Sequence, residues 1–217
     1  RGNLTVSPVS PAEEGDVLRS KRVSAASCPL RSLTAAVMDT ETTSLDVKVA
    51  RVVQIGVAPM VDGYMDLTRS FSTHVDPGEP IPDSTRAIHG ISDETVKGAP
   101  AFDKAYRSYL AFAGDHLVLG YSLGFDLAVL KAESQRSGVP WKAPRSLDVR
   151  DLVRIIAPPL PDFSLDKVAA WLGIGIRDRH TALGDAAATG EIFLALLPRL
   201  RDRGIRVPED VSLTGFD

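Results

Sequence analysis

The apolar run LTAAVM (33–38) ends in two acids, Asp39 and Glu41, within DTETT. In extended backbone, residues i and i+2 point to the same side, so the two carboxylates can converge on one point. Carboxylates a few ångströms apart repel one another unless a proton or a cation sits between them. An oxygen-only site of that kind suits Mg²⁺ or Mn²⁺. Taken alone, the same pattern also fits a turn with a solvated Glu.

Two further acids and a histidine extend the pattern. Asp126 stands in GYSLGFDLAVL, just past a short apolar strand and near the start of a helical pattern. An acid there can simply face the helix N-terminus, yet Val129 and Leu130 put it beside an apolar stripe, so capping and chemistry are both open. Asp185 is more informative. On a helix it shares a face with Ala182, Thr189, Ile192 and Leu196, and the opposite side, from Leu183 to Leu197, is apolar too. Such a helix is packed over much of its girth. No Lys or Arg lies three or four residues from Asp185, so a cation from elsewhere is expected beside it. His180 is five residues earlier, about 140° around a helix, which puts it in a loop or first turn. Its ordinary pKa lies near neutrality, as proton transfer requires.

The elements that must carry these residues follow from period and punctuation. LTAAVMD (33–39) reads as a first strand. RVVQIGVAPMV (51–61) and YMDLTRSFSTHV (64–75) read as a hairpin turning at DG. The Pro-rich DPGEPIPDS is a loop, followed by a helical region from about Ser84 through AFDKAYRSYLAFAG. HLVLG (116–120) and SLDV (146–149) are short strands, each leading into helical sequence. FSLDKVAAWLG is another short helix, and HTALGDAAATGEIFLALLPRLRDRG the long last one. Three strands followed by alternating helices and strands predict an α/β sandwich around a mixed five-stranded sheet flanked by helices. Residues 1–32, rich in Ser, Pro and Ala, read as a linker or the end of a preceding domain. Residues 33–204 read as the working domain and 205–217 as a C-terminal tail.

Composition narrows the function classes. The 217 residues carry a formal charge of −3, which is no broad basic footprint for duplex DNA, so any nucleic acid must be held locally. No apolar run approaches the ~18 residues of a membrane helix, and the start lacks the hydrophobic centre of a signal peptide. Cys28 stands alone, as suits a reducing cytoplasm. The first residue is Arg, not Met, so a piece of a longer or processed chain is expected.

In this order and spacing, Asp39-Thr40-Glu41-Thr42-Thr43, Phe125-Asp126 within YSxGFDxxxL, His180-xxxx-Asp185 and the AIHGIS segment with His89 resemble the motifs of the DEDDh, or DnaQ-like, 3′–5′ exonucleases. That family includes the proofreading subunit of the bacterial replicative polymerase, RNase T and oligoribonuclease. The resemblance covers about residues 32–200. The chain departs from the usual pattern twice: Ser122 stands where the family usually has Asn, and Ser44 follows DTETT where proofreading members usually have Gly.

The resemblance implies an RNase H-like fold and a metal-dependent 3′–5′ exonuclease releasing nucleoside 5′-monophosphates from single-stranded ends. It implies two Mg²⁺ or Mn²⁺ ions per site, held by Asp39, Glu41, Asp126 and Asp185, with His180 as general base. Thr42, Thr43, His89, Ser122 and Phe125 are the implied substrate contacts, although a core Phe and a loop His are equally consistent with Phe125 and His89. Arg177 and Arg179 are candidates for the phosphate backbone, and Asp148 for a supporting role. The implied partner is a single-stranded 3′ end, with a polymerase or a fused upstream domain as a further candidate. Within the family an RNA-directed member is the alternative, and outside it a non-catalytic nucleic-acid or partner-binding module.

Overall fold

The computed structural model describes residues 33–204. The linker reading of 1–32, Cys28 and the tail at 205–217 lie outside the described residues. Strands β1 (Ala35–Thr42), β2 (Val52–Val61), β3 (Tyr64–Met65), β4 (Phe71–His74), β5 (Leu117–Gly120) and β6 (Ser146–Asp148) form one sheet. The helices are α1 (Asp83–His89), α2 (Asp93–Val96), α3 (Phe102–Ala113), α4 (Leu123–Arg136), α5 (Val149–Ile156), α6 (Leu165–Leu172) and α7 (Ala182–Asp202). β1 is central, antiparallel to β2 and parallel to β5, which is parallel to β6. The long β2 carries β3 and then β4 along its other edge.

The sheet is the expected mixed one, with one strand more. The stretch read as a single strand over 64–75 breaks at Asp66, whose side chain accepts from the Thr68 amide and starts a short 3₁₀ turn at Leu67–Arg69. The helical region after the Pro-rich loop likewise divides into three. Gly90 ends α1 in a left-handed conformation, and Gly98 and Pro100 separate α2 from α3.

β1 is apolar on both faces because both are covered. Ala35 and Val37 pack with α5, α6 and α7, while Ala36 and Met38 pack with α3 and α4. This alternation, with its period of two, makes a three-layer α/β/α sandwich. Asp39 is the residue at which β1 stops being wholly buried.

Close approach of α7 to the sheet depends on Gly56, the cross-strand partner of Asp39. A β-carbon at Gly56 would lie 2.3 Å from the Leu183 amide nitrogen and 2.4 Å from the Ala182 carbonyl carbon. Only a residue without one lets the first turn of α7 rest there. On the other flank, fully buried Glu133 of α4 accepts from Arg51 Nε and from Arg136 Nη1, both at 2.6 Å. Arg136 also donates to the carbonyls of Ala50 and Lys48. The loop between β1 and β2 is thereby fixed to α4.

Candidate active site

Three elements deliver the acids to one place. Asp39 and Glu41 project from the end of β1. Asp185 is buried in the first turn of α7, held over them by the Gly56 contact. One carboxylate oxygen from each can be chosen so that all lie within 4.8 Å of one another. The first turn of α7 is secured by the Thr181 hydroxyl, which accepts from the Gly184 amide, and by Gln54 Oε1, which accepts from the Ala182 amide at 2.9 Å.

Asp126 lies in the first turn of α4, outside that trio but beside it. Its Oδ1 accepts from the Thr40 amide at 3.0 Å and from the Thr40 hydroxyl at 2.6 Å. All four acids are held above the ordinary carboxylate range. Burial is the main cause for Asp39, followed by the charges of Asp126, Asp185 and Glu41. Burial and then Asp185 push Glu41 up to about 7. Burial also raises Asp126 against its Thr40 hydrogen bonds, and raises Asp185 against the pull of Arg179. Four acids so placed call for a cation.

The guanidinium of Arg179 supplies one. Its Nη1 pairs with Asp185 Oδ2, and its Nε and Nη2 pair with the two oxygens of Asp166 at 2.9 and 3.0 Å. This positive group sits directly against the acid cluster. Carboxylate donors within reach of one point suit a hard divalent cation, so the residues present fit the expected metal.

His180 sits in the loop before α7, as its spacing predicts, with φ +64°. Its Nδ1 is 3.2 Å from Arg179 Nη1. A guanidinium can only donate, so Nδ1 accepts and the ring proton is on Nε2. His89, at the end of α1, belongs to the same neighbourhood. Its Nδ1 accepts from the Ile91 amide at 3.0 Å, which puts the proton on Nε2, a buried donor with no hydrogen-bond partner among the described residues. Burial lowers its pKa, the Thr42 backbone opposes this and the charge of His180 adds to it.

The remaining sequence-predicted residues are placed as follows. The Thr42 hydroxyl donates to the Ser44 carbonyl, and the Thr43 hydroxyl donates to Glu79 while accepting from the Arg51 amide. Both threonine side chains are thus occupied, leaving backbone as what this turn can offer a ligand. Phe125 is half-buried against the α3–α4 core. Ser122 begins α4 with φ +57°, a left-handed conformation in which Asn is at home and Ser is not. Its amide donates to Asp148 Oδ1 at 3.0 Å and its hydroxyl accepts from Arg150 Nη1 at 3.1 Å. Asp148 therefore has the supporting role expected of it. Gln54 and the cationic role of Arg179 were not anticipated. A Gln inside the apolar run RVVQIGV is the signal for the first, since a buried polar side chain must be serving a partner.

An exonuclease family model matches residues 36–193. The chain belongs to that exonuclease family. It is 38% identical over 183 residues to a DNA polymerase III subunit epsilon-like protein of Rhodobacter capsulatus, covering 83% of this chain and 26% of that one. It is 32% identical to the DNA polymerase III subunit epsilon of Aquifex aeolicus, covering 76% and 80% respectively. A PolC-type DNA polymerase III of Clostridium perfringens is 31% identical over 76% of this chain, which spans only 11% of that protein. Among solved structures, E. coli Exonuclease I in complex with a dT13 oligonucleotide superposes with TM-score 0.68 at 18% identity, over 80% of this chain and 43% of that one. Exonuclease X in complex with 5′ overhanging duplex DNA gives 0.62 at 21% identity, over 78% and 93%. The expected RNase H-like fold and the DnaQ-like 3′–5′ exonuclease domain are thus what this chain carries. Among the described residues no helix is long and apolar enough to cross a membrane.

Proposed function

We propose that this domain removes nucleotides from the 3′ ends of single-stranded DNA, with Asp39, Glu41, Asp126 and Asp185 holding two Mg²⁺ or Mn²⁺ ions. The observation that carries the proposal is the convergence of Asp39, Glu41 and Asp185, from two separate elements, on one point. Asp126, bound to the strand between the first two, completes the set from the side. The DNA polymerase names of the relatives favour DNA over RNA. They also make a polymerase, fused or bound, the partner in view. Residues 33–204 form the exonuclease unit in this reading, at work in the cytoplasm.

Divalent ions in this cluster would stabilise the attacking and leaving oxygens of the displacement. The chain's own residues do the rest. His180 takes a proton from water through Nδ1, which must first be released from Arg179. The water oxygen bonds to phosphorus, the bond to the 3′-oxygen breaks and that oxygen acquires a proton. The product is a nucleoside 5′-monophosphate. Backbone at Thr42 and Thr43 meets the terminal 3′-OH, and the Nε2–H of His89 and the face of Phe125 contact the last sugar or base.

Matched 5′-labelled single-stranded DNA and RNA, digested with Mg²⁺ or Mn²⁺, test this directly. A DNA ladder shortening from the 3′ end, absent with Asp39→Ala and with EDTA, is the expected result. Faster RNA digestion would reassign the substrate, and no metal-dependent cleavage of either would leave a binding module.

A further inference from the structure

Several arginines of the described residues are already committed to an acid. Arg179 is held by Asp166 and Asp185, Arg51 and Arg136 by Glu133, and Arg154 by Asp151. Arg150 is different. It stands just past β6, half-buried, and no carboxylate oxygen among the described residues lies within ion-pair distance of its guanidinium. Its Nε is buried without an acceptor. Its Nη1 donates to the Ser122 hydroxyl at 3.1 Å, and Nη2 has no hydrogen-bond partner among the described residues.

A partly exposed guanidinium without an ion pair keeps donors free for an anion, and here one of its nitrogens is fixed on Ser122. Ser122 is held in its left-handed conformation from two sides, by Asp148 on its amide and by Arg150 on its hydroxyl. The same segment, Asp148 to Arg150, thus both shapes the turn leading to Asp126 and aims the guanidinium. A phosphodiester strand approaching Asp39, Glu41, Asp126 and Asp185 needs fixed positive charge nearby, in a chain whose formal charge is −3. A guanidinium matches a phosphate in shape as well as charge.

We propose that Arg150 contacts a phosphate of the nucleic-acid strand upstream of the bond being cut, with Ser122 serving to aim it. This rests on the exonuclease reading above and adds a substrate-binding residue to it. β6 lies two strands from β1, about 10 Å at ordinary strand spacing, so Arg150 starts from a different part of the sheet edge than Asp39 and Glu41 do.

The test is fluorescence anisotropy of 5′-labelled oligo-dT and oligo-dA on the whole chain in EDTA, over a series of NaCl concentrations. The comparison is between the wild type, Arg150→Ala, Arg150→Lys and Ser122→Ala. Loss of one phosphate contact should weaken binding of both oligomers about equally. It should also lower the slope of log K against log salt by about 0.7 in Arg150→Ala. Arg150→Lys should restore the slope, and Ser122→Ala should keep it while weakening affinity. An unchanged slope in Arg150→Ala, with a lowered melting temperature, would overturn the proposal and leave Arg150 as a clasp on Ser122. If the wild type bound neither oligomer and cut neither with Mg²⁺, the exonuclease reading itself would fail.

Discussion

Asp126 Oδ1 accepts both the amide and the hydroxyl of Thr40, at 3.0 and 2.6 Å, joining the first turn of α4 to the strand segment between Asp39 and Glu41. Thr40 faces away from its two acidic neighbours, as strand alternation demands, and so reaches the fourth acid from the opposite face. Thr40→Val keeps the shape and removes one donor from a buried carboxylate. It should cost about 1–3 kcal/mol of stability by urea unfolding. It should also raise the pKa of Asp126 further and shift the acidic limb of the exonuclease pH profile upward.

The four raised acids set a pH dependence for the metal-free protein. Their folded pKa values lie above the unfolded ones, so the folded state binds more protons between the ordinary carboxylate range and about 7, the value reached by Glu41. Stability contributed by these groups is therefore full at acidic pH and is lost as pH rises through that window. In EDTA the melting temperature should fall from pH 5 to pH 8 relative to an Asp39→Asn variant. Mg²⁺ should restore it most at the upper end.

Arg179 competes for what a divalent ion needs. It occupies Asp185 and, through Nη1, the lone pair of His180. Arg179→Ala should lower the melting temperature in EDTA, because the acids lose their internal counterion. The rise on adding Mg²⁺ should be larger than in the wild type. A titration followed by calorimetry would read tighter Mg²⁺ binding, and unchanged affinity would count against competition.

Gly56 offers a steric test of how the site is assembled. Gly56→Ala forces the backbone of α7 away from β2, which should cost about 1–3 kcal/mol or more. It should also lower exonuclease activity beyond what a comparably destabilising core change does, such as Ile192→Ala on the buried face of the same helix. Comparing the two variants at matched fractions folded separates loss of fold from displacement of Asp185.

Much of this site was legible in the sequence because it is built from element ends. Acids after an apolar strand, an acid in the first turn of a helix and a histidine just before another are local signals, and each falls where expected. The break at Asp66 was not legible, since a strand with one capping Asp looks continuous until its side chain is seen to bond its own backbone. Nor was the role of Gly56. Its lack of a β-carbon matters only once α7, more than a hundred residues later, arrives against it. Gln54 and Arg179 act over similar separations or through loop geometry, which periodicity does not encode.

Among the described residues His180 is one of four non-glycine positions with positive φ, a backbone shape that glycine adopts without strain. The imidazole can therefore be detached from the chain while the loop keeps its path, because His180→Gly removes the side chain and relaxes the backbone together. Such a variant would carry a ring-sized gap beside Asp185 and Arg179. Imidazole added to the solvent should fill it and recover part of the lost turnover, in proportion to its unprotonated fraction. In Asp185→Ala, which removes a carboxylate and no base, the same addition should recover nothing.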